Sequence, residues 1–456
     1  MQISSLQQLC LHLISCAFQR CRLSEDLCRL SVVLKPSPAS DPPVVGISIS
    51  DTGIGSCLEE IRDLRWEGVE NWDGILSIRT TGICDTEIYN YHLHIREKNL
   101  NKRLTILPSN PKSGAKFSGS EVYLSISESI NALLGEFKNF FEKILILKIP
   151  NVACELVVEH GDTPGSRYEN VFLANELNPL PFSTSNVVRL KSGLLDYVMK
   201  HKCRLNESEH LKVGSGMASC TGRRSNSGLI MEAVVVIGEQ SEFTSLCSST
   251  GGAKTEVLYF EEFSPSSITQ SFCNAFNGID WKSYGLTLDS AVNQGGQGQL
   301  EWDNLPSLFH IDIALHCYHE QAVIPPVWKK IQNNKSLIKK AVKLALDDLK
   351  ENHAGVLSSR HALKIRSYAP DLARTISGLI SSSNDPDFQA ECLSLLGLQY
   401  QEIGGVTVEN CIKEKICSVI DMNDGKPQRS KDSAPFLFED DCLEEVDFQD
   451  YEYEED

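Results

Sequence analysis

The chain has 456 residues, of which 41% are apolar and 23% are charged, and its formal net charge is −18. This length allows two or three domains, and the composition is that of an ordinary soluble protein. No apolar run reaches the roughly 18 residues that a membrane-spanning helix needs. The apolar stretch from Leu9 to Phe18 is interrupted by His12 and has no basic residue before it, so it predicts an amphipathic helix and not a signal peptide.

The negative charge is concentrated at the C-terminus. Residues 432–456 contain twelve acidic side chains and no lysine or arginine, which leaves −6 on the other 431 residues. A mildly acidic body does not hold duplex DNA by charge alone. If the protein acts at DNA, we expect a partner to supply most of the DNA-binding affinity. The aromatic residues of this tail leave open an acidic docking segment, but solvated disorder is the prediction.

The sixteen cysteines are scattered along the chain without a CxxC pair, which predicts reduced thiols in the cytosol or nucleus. The stretch nearest to a metal motif is His316-Cys317-Tyr318-His319. It lies in an apolar run typical of a strand, so we expect it to pack in a core and predict no metal site.

The first 160 residues predict a sheet covered by helices. Helical spacing of Leu6, Leu9, Leu13 and Ala17 predicts a helix over Leu6–Arg20, and a second amphipathic helix runs from Glu128 to Ile144. Apolar and alternating runs predict strands at Leu27–Leu34, Val44–Ser50, Leu76–Ile78, Tyr89–Ile95, Glu121–Ile126 and Glu155–Val158. This order is typical of an α/β sandwich in which one mixed sheet has helices on one face.

Residues 186–228 predict a short middle region, followed by a second α/β block. The tail of the middle region, Val213–Gly228, is rich in glycine, serine and arginine and indicates a loop; it lacks the lysine and the following helix of a phosphate-binding loop. The later predicted elements are strands at Met231–Ile237, Val257–Phe260 and Phe309–Tyr318 and helices at Ser267–Asn277, Pro326–Glu351, Arg360–Leu379 and Phe388–Leu398. The lysines of the Pro326–Glu351 helix predict a solvated face, with a DNA contact as the alternative.

The motif with chemical content is Asp51-x-Gly53-x-Gly55, directly after a buried strand. A carboxylate at a strand end can accept a hydrogen bond from an adenine amino group, and glycines let the backbone approach a ring or phosphate closely. A tight turn needs the same residues. Asp-Thr-Gly also begins the aspartic protease motif, but that chemistry needs two carboxylates about 3 Å apart, hence a homodimer of this chain.

Together with the helix before it and the strand GSEVYL after it, this motif resembles the GHKL (Bergerat) ATPase fold of gyrase B, MutL and topoisomerase VI B subunits. IDWKSYGL, from Ile279 to Leu286, resembles the WKxY segment of the topoisomerase VI B transducer domain. The segments LISCAFQRCRLSEDLCRLSVVLKP and DTGIGSCLEE resemble plant meiotic members of the topoisomerase VI B-like family. The likeness covers residues 5 to 350 in order.

The resemblance implies an α+β chain. Its domains would be a GHKL-like α/β sandwich at 1–185, a reduced middle region at 186–228, a transducer-like domain at 229–352, a helical partner-binding region at 353–420 and a disordered acidic tail at 421–456. It places Asp51, Gly53, Gly55 and Lys282 in a degenerate nucleotide pocket, with Lys282 as the switch lysine that reaches toward the γ-phosphate. The alternative for Lys282 is a surface charge beside a packed tryptophan and tyrosine.

The departures from the family pattern concern catalysis. Working GHKL members carry Glu-x-x-x-Asn-x-x-Asp on the first helix, as general base and magnesium ligand. The matching positions here are Leu11, Ser15 and Phe18, and no Glu or Asp precedes Ser24. The segment Ser113–Gly119 is a weak echo of the glycine-rich lid. We predict no catalytic residue, no required cofactor and no ATP hydrolysis, while binding of ATP and Mg²⁺ without hydrolysis stays open.

The resemblance further implies a nuclear B-type subunit that dimerises within a heterotetramer. Its helices beyond the transducer would bind an A-like meiotic transesterase, which makes the DNA double-strand breaks that start recombination. Three alternatives remain. The first is an active GHKL ATPase that gates a type IIB topoisomerase reaction, with a base such as Glu25 or Glu59. The others are an interaction module outside topoisomerases and the homodimeric protease.

Overall fold

The protein is described by a computed structural model. It describes residues 2–37, 44–58, 60, 64–68, 72–160, 167–174, 180–201, 211–220, 228–239, 254–294, 296–305, 309–320, 335–353, 355–398 and 405–424. The chain divides into two compact units, Met1–Leu363 and Lys364–Asp456. The larger unit contains two mixed sheets, and the smaller unit is helical where it is described.

The first sheet and its helices occupy the N-terminal third. The elements are β1 (Gln2–Ile3), α1 (Leu6–Arg22), β2 (Cys28–Ser37), β3 (Val44–Asp51), β4 (Arg65–Trp66), β5 (Ile75–Thr81), β6 (Glu87–His94), α2 (Leu100–Arg103), β7 (Leu104–Pro111), β8 (Gly119–Ile126), α3 (Ile130–Ile144), β9 (Val152–His160) and β10 (Arg167–Ala174). Eight strands form the sheet in the order β10-β9-β2-β3-β8-β5-β6-β7. Only β2 and β9 pair in parallel among these neighbours.

Helix α1 packs against the middle of this sheet. Ser5 begins it, because the Ser5 side chain accepts a hydrogen bond from the Gln8 main-chain N–H at 3.1 Å. Arg20 and Arg22 lie in its last turn, where positive charge suits the helix dipole. The apolar face of α1 and two phenylalanines of α3, Phe137 and Phe141, share one core with the inner face of the sheet. This core places the C-terminal end of α1 directly above the end of β3.

The second sheet lies within the same unit. Its elements are α4 (Asn186–His201), β11 (Leu211–Cys220), β12 (Leu229–Glu239), β13 (Lys254–Glu261), β14 (Ser264–Ser266), α5 (Gln270–Asn277), β15 (Leu288–Gln294), β16 (Gln297–Trp302), β17 (Phe309–His319) and α6 (Lys335–Asn352). Six strands follow the order β11-β12-β17-β13-β16-β15, and β14 pairs with β13. Helices α5 and α6 share an apolar core with this sheet.

The prediction of a loop over Val213–Gly228 is wrong for Val213–Cys220, which belong to β11. The glycines that suggested a loop are needed for packing. A Cβ added at Gly214 would lie 2.0 Å from the Ala345 carbonyl oxygen, and one at Gly216 would lie 2.3 Å from that of Ala341. Only glycine therefore lets α6 cross this edge strand so closely. The outward N–H of Ser215 donates to the Asp348 carboxylate of α6 at 2.8 Å, which covers the sheet edge.

The C-terminal helices begin at the end of the larger unit. They are α7 (Arg360–Arg366), α8 (Ala369–Ser382), α9 (Pro386–Leu396) and α10 (Gly405–Asn423). The predicted stretch Arg360–Leu379 is split because Pro370 opens a new helix and disfavours helical backbone before it. The start of the long helix predicted from Pro326, including Lys329 and Lys330, and the acidic tail beyond Asp424 lie outside the described residues.

The predicted α+β class is confirmed, with a first sheet covered by helices, a second sheet-containing block and a helical C-terminal segment. The strands β7, β10, β15 and β16 and the helix α10 were absent from the sequence prediction. None of the helices in the described part of the chain has the length and hydrophobicity to cross a membrane.

Candidate functional site

The candidate pocket lies where β3 ends and the Asp51-Thr52-Gly53-Ile54-Gly55 turn begins. The Asp51 side chain is fully buried. Its Oδ2 accepts two hydrogen bonds from Arg20, from Nε at 2.9 Å and from Nη2 at 2.7 Å. Its Oδ1 accepts the Gly53 main-chain N–H at 3.0 Å. Both oxygens of the carboxylate predicted to recognise adenine are therefore engaged by groups of this chain.

Arg20 bridges two carboxylates. Its side chain is 4% exposed, and Nη1 also donates to Glu60 Oε1 at 2.5 Å. Burial by itself lowers the pKa of Arg20, but the charges of Asp51 and Glu60 outweigh burial, and the net pKa shift is upward. The guanidinium is a permanent cation whose planar fork fits two oxygen acceptors. It occupies Oδ2 of Asp51 with two of its nitrogen atoms.

The neighbouring hydroxyl groups are also satisfied within the chain. Glu60 accepts a hydrogen bond from the Ser56 hydroxyl. The Ser56 main-chain N–H donates to Thr80 Oγ1 at 2.8 Å, and Thr80 Oγ1 lies 2.8 Å from Ser120 Oγ. These bonds join α1, the turn after β3 and strands β5 and β8 into one polar network. A ligand that entered here would have to replace bonds that already exist.

The two glycines of the motif approach protein backbone. A Cβ at Gly53 would lie 2.4 Å from the Arg20 carbonyl carbon. Gly55 has φ +90°, and a Cβ there would lie 2.7 Å from the Thr81 carbonyl oxygen. Packing inside the chain thus requires both glycines. Their assignment to nucleotide binding stays a prediction.

The first helix presents no carboxylate at the positions where GHKL ATPases have one. Phe18 is buried in the first core, and Leu11 packs against that core. Ser15 Oγ lies 2.7 Å from Ser264 Oγ of β14. Of the alternative bases, Glu25 is exposed after α1, and Glu59 lies outside the described residues.

Sequence reasoning missed the polar face of α1. His12, Cys16 and Arg20 are spaced four residues apart and lie on one face, with His12 Nε2 3.6 Å from Cys16 Sγ. Burial lowers the pKa of His12 to about 4, so this imidazole is neutral at pH 7. The spacing of His12, Cys16 and Arg20 at intervals of four residues was the available signal.

Lys282 lies on a 3₁₀ turn, Trp281–Tyr284, of the second block. Trp281 and Tyr284 are anchored in the second core: Trp281 Nε1 donates to the Phe276 carbonyl at 2.8 Å, and the Tyr284 hydroxyl donates to Asp347 at 2.5 Å. Lys282 is exposed, and its main-chain carbonyl accepts the Gly285 N–H at 3.2 Å. Its side-chain ammonium group has no hydrogen-bond or ion-pair partner among the described residues. Its role as a switch lysine stays a prediction.

The segment Ser113–Gly119, the weak echo of a lid, is held to the end of β5 by Lys112. The buried Lys112 Nζ donates to the carbonyls of Gly82 at 2.8 Å and Phe117 at 2.6 Å. The same ammonium group lies 4.7 Å from the centre of the Phe117 ring. These bonds hold the segment in place without a ligand.

The His316–His319 stretch lies on β17. The buried His316 and the Tyr318 hydroxyl both contact the Glu232 carboxylate, at 3.3 Å and 3.0 Å. Within the described residues, no group of three His, Cys, Asp or Glu side chains is placed to hold a metal ion. The histidines therefore pair with buried carboxylates inside the fold.

The helical C-terminal unit has a small core and many exposed apolar side chains. One core cluster consists of the buried residues Ala373, Ile380, Val408 and Ile412. Large apolar side chains that are 40% to 72% exposed include Ile365, Tyr368, Leu372, Leu379, Phe388, Leu395, Val419 and Met422. These side chains make the helices a candidate surface for contact with another protein.

Comparisons with known proteins identify two regions by sequence. The family model of the MTOPVIB middle domain matches residues 187–353. The model of the meiotic topoisomerase VIB-like C-terminal domain matches residues 361–425. Together these ranges span just over half of the chain. No curated protein matches it.

Solved structures similar to the chain include ATPase regions of type II topoisomerases. The B subunit of DNA gyrase from Myxococcus xanthus is 11% identical, with a TM-score of 0.35 over 76% of this chain and 90% of that one. The 43K ATPase domain of Thermus thermophilus gyrase B is 9% identical, with a TM-score of 0.32 over 77% and 86%. The topoisomerase IV ATP-binding domain of Francisella tularensis is 12% identical, with a TM-score of 0.32 over 89% and 92%.

Proposed function

Because the chain belongs to the meiotic topoisomerase VIB-like family, we propose that it is the non-catalytic B-type subunit of a nuclear topoisomerase VI-like complex. In this role it scaffolds and activates an A-like transesterase, and that partner cuts DNA to form the double-strand breaks that initiate meiotic recombination. Two copies of each subunit would form a heterotetramer. No cofactor of the chain's own is required.

The observation that carries the non-catalytic role is the pairing of Arg20 with Asp51. A nucleotide base that used Asp51 would have to displace a buried guanidinium held by two carboxylates. The first helix offers Leu11, Ser15 and Phe18 where water activation and Mg²⁺ binding need carboxylate and amide groups. A general base alone typically contributes about 10²–10⁴-fold to a rate. Both features favour a role that is independent of ATP hydrolysis.

The C-terminal helices are the proposed surface for the A-like partner. Their described part is about 60 residues long with a core cluster of only four buried apolar residues, and units of this size are marginally stable without a further partner or covalent support. Burying the exposed leucines and aromatic side chains on an amphipathic surface of the partner would supply the missing apolar contact. The acidic character of the body leaves the grip on DNA to that partner.

A binding assay tests this surface. The double variant Leu372→Ser/Leu379→Ser removes two exposed apolar side chains from α8. Burial of a leucine contributes about 1.5–3 kcal/mol, so we expect affinity for the A-like subunit to fall by roughly a hundredfold or more. The control Ile83→Ser/Ile106→Ser changes exposed isoleucines of the turn between β5 and β6 and of β7, and it should bind normally. Retained binding after deletion of residues 327–420 would refute the assignment.

An ATPase assay separates the proposal from the active-ATPase alternative. Purified full-length chain with Mg²⁺ and ATP should show no turnover above the blank, alone or with the A-like partner. The variants Asp51→Asn and Lys282→Ala should leave that result unchanged. Turnover that falls on Asp51→Asn would establish the ATPase and overturn the non-catalytic role.

A further inference from the structure

A two-residue turn of the second sheet lies against the first helix. Strands β13 and β14 are antiparallel with Glu261 opposite Ser264, so Glu262 and Phe263 alone form the turn. Their φ angles are +46° and +62°, in the left-handed region that favours glycine and asparagine at these two positions. Large side chains persist here against the backbone preference, which indicates that the side chains themselves have a role.

The turn is fastened to its own sheet by side-chain and main-chain bonds. Glu262 Oε1 accepts the His319 main-chain N–H at 3.1 Å and contacts the His319 ring nitrogen Nδ1. The Glu262 main-chain N–H donates to the Cys317 carbonyl at 2.9 Å. The Phe263 ring packs 4.5 Å from the His316 ring, centre to centre. These contacts attach the turn to β17.

The same turn and the adjoining first residue of β14, Ser264, contact α1 at three positions on one helical face. Ser15 Oγ lies 2.7 Å from Ser264 Oγ, and Gln19 Nε2 donates to the Glu262 carbonyl at 2.5 Å. The Arg22 guanidinium lies 4.2 Å from the centre of the Phe263 ring. The spacing 15, 19 and 22 places these side chains along one stripe of the helix.

We propose that the Glu262–Phe263 turn is a latch that joins the two sheets of residues 1–363 through α1 without nucleotide. Ser15, one of the three positions at which GHKL ATPases carry their catalytic and metal-binding groups, holds the turn here. The arrangement of the sheets is then set by protein contacts and stays the same with or without ATP. This inference concerns the chain alone and goes beyond the partner-binding role.

The latch and the pocket are coupled through consecutive residues. Arg20 closes the pocket on one side of α1, and Gln19 holds the turn on another. Gly53 packs on the main chain of Arg20 and Cys21, so the end of α1 cannot shift without disturbing both contacts. Opening the pocket would therefore loosen the latch, and breaking the latch would loosen the pocket.

Hydrogen–deuterium exchange on the full-length chain tests the latch. The variant Ser15→Ala/Gln19→Ala removes both hydrogen bonds and leaves Arg20 in place. Without these two bonds, amide exchange in 260–266 and in the last turn of α1 should accelerate by roughly tenfold or more. Strands β6 and β7, which lie outside the polar network of the pocket, should exchange at the wild-type rate. Gln7→Ala is the control, a half-buried change on the same helix away from the turn.

A second variant separates loss of the contact from damage to the fold of α1. Ser264→Ala deletes one hydroxyl from the side of the second sheet and should accelerate exchange in α1 in the same direction. Mg²⁺ with a non-hydrolysable ATP analogue should leave wild-type exchange unchanged. The proposal is overturned if both variants behave like Gln7→Ala, or if the analogue increases protection of the turn in the wild-type chain.

Discussion

Replacing Arg20 with alanine would leave Asp51 buried without a counterion and Glu60 without its strongest partner. The Asp51 side chain is 0% exposed and that of Glu60 is 11% exposed. Removing one partner of a buried ion pair costs about 3–5 kcal/mol of unfolding free energy, because the remaining charge is desolvated and has no opposite charge beside it. We expect the Arg20→Ala variant to lose roughly that much unfolding free energy at pH 7.

The matched control is an exposed arginine in a pair of the same type. Arg29 pairs with Glu155, but its side chain is 63% exposed. Water screens this pair, and Arg29→Ala should cost about 1 kcal/mol or less. Arg20→Lys keeps the charge but cannot reproduce the fork of Nε and Nη2 on Asp51, so its loss should lie between those of the two alanine variants.

Urea denaturation of the full-length chain, followed by far-ultraviolet circular dichroism, measures these differences. A cycle with Asp51→Asn and the double variant isolates the pair, and we expect the two changes to couple by about 2 kcal/mol. The reasoning would be refuted if Arg20→Ala and Arg29→Ala lowered the unfolding free energy equally. Such a result would mean that water reaches Asp51.

Three further outcomes are expected. Gly216→Ala places a Cβ against the backbone of α6 and should lower stability by about 2 kcal/mol or more in urea melts, whereas Gly135→Ala on α3, where nothing lies within 4 Å, should raise it by about 0.5–1 kcal/mol. Burial lowers the pKa of His12 to about 4. Between pH 6.5 and pH 4, His12 is therefore protonated in the unfolded chain and neutral in the folded chain. Stability should therefore fall by about 3 kcal/mol as the pH drops from 7 to 4, and His12→Gln should remove that part of the pH dependence. Asp348→Ala leaves the outward Ser215 N–H of the edge strand uncovered, and light scattering should detect faster aggregation than for wild type.

Local patterns in the chain predicted most of the larger elements. The spacing of apolar residues placed α1 and α3 within a few residues of their observed ends, and it placed strands at β3 and β8. These elements follow from side-chain periodicity, which is recorded in consecutive residues. The same local reading marked Asp51, Gly53 and Gly55 as one turn at the end of a strand.

Strand β11 shows where the local reading fails. Its glycines and serines favour a loop when neighbours in sequence alone are considered. In the fold, they let α6 cross the strand at Ala341 and Ala345, more than 120 residues later. Glycine is required at these positions because α6 crosses the strand there. No residue pattern within β11 indicates that requirement.

Residue patterns along the chain were enough to establish the α+β class, the strand-end motif and the absence of acidic residues from the first helix. Tertiary structure alone decided what the motif does in this chain. Arg20 meets Asp51 across 31 residues, and Ser15 meets Ser264 across 249. Such pairs form because packing of α1 on the first sheet sets which side chains converge, and the burial that makes them strong exists only in the folded state.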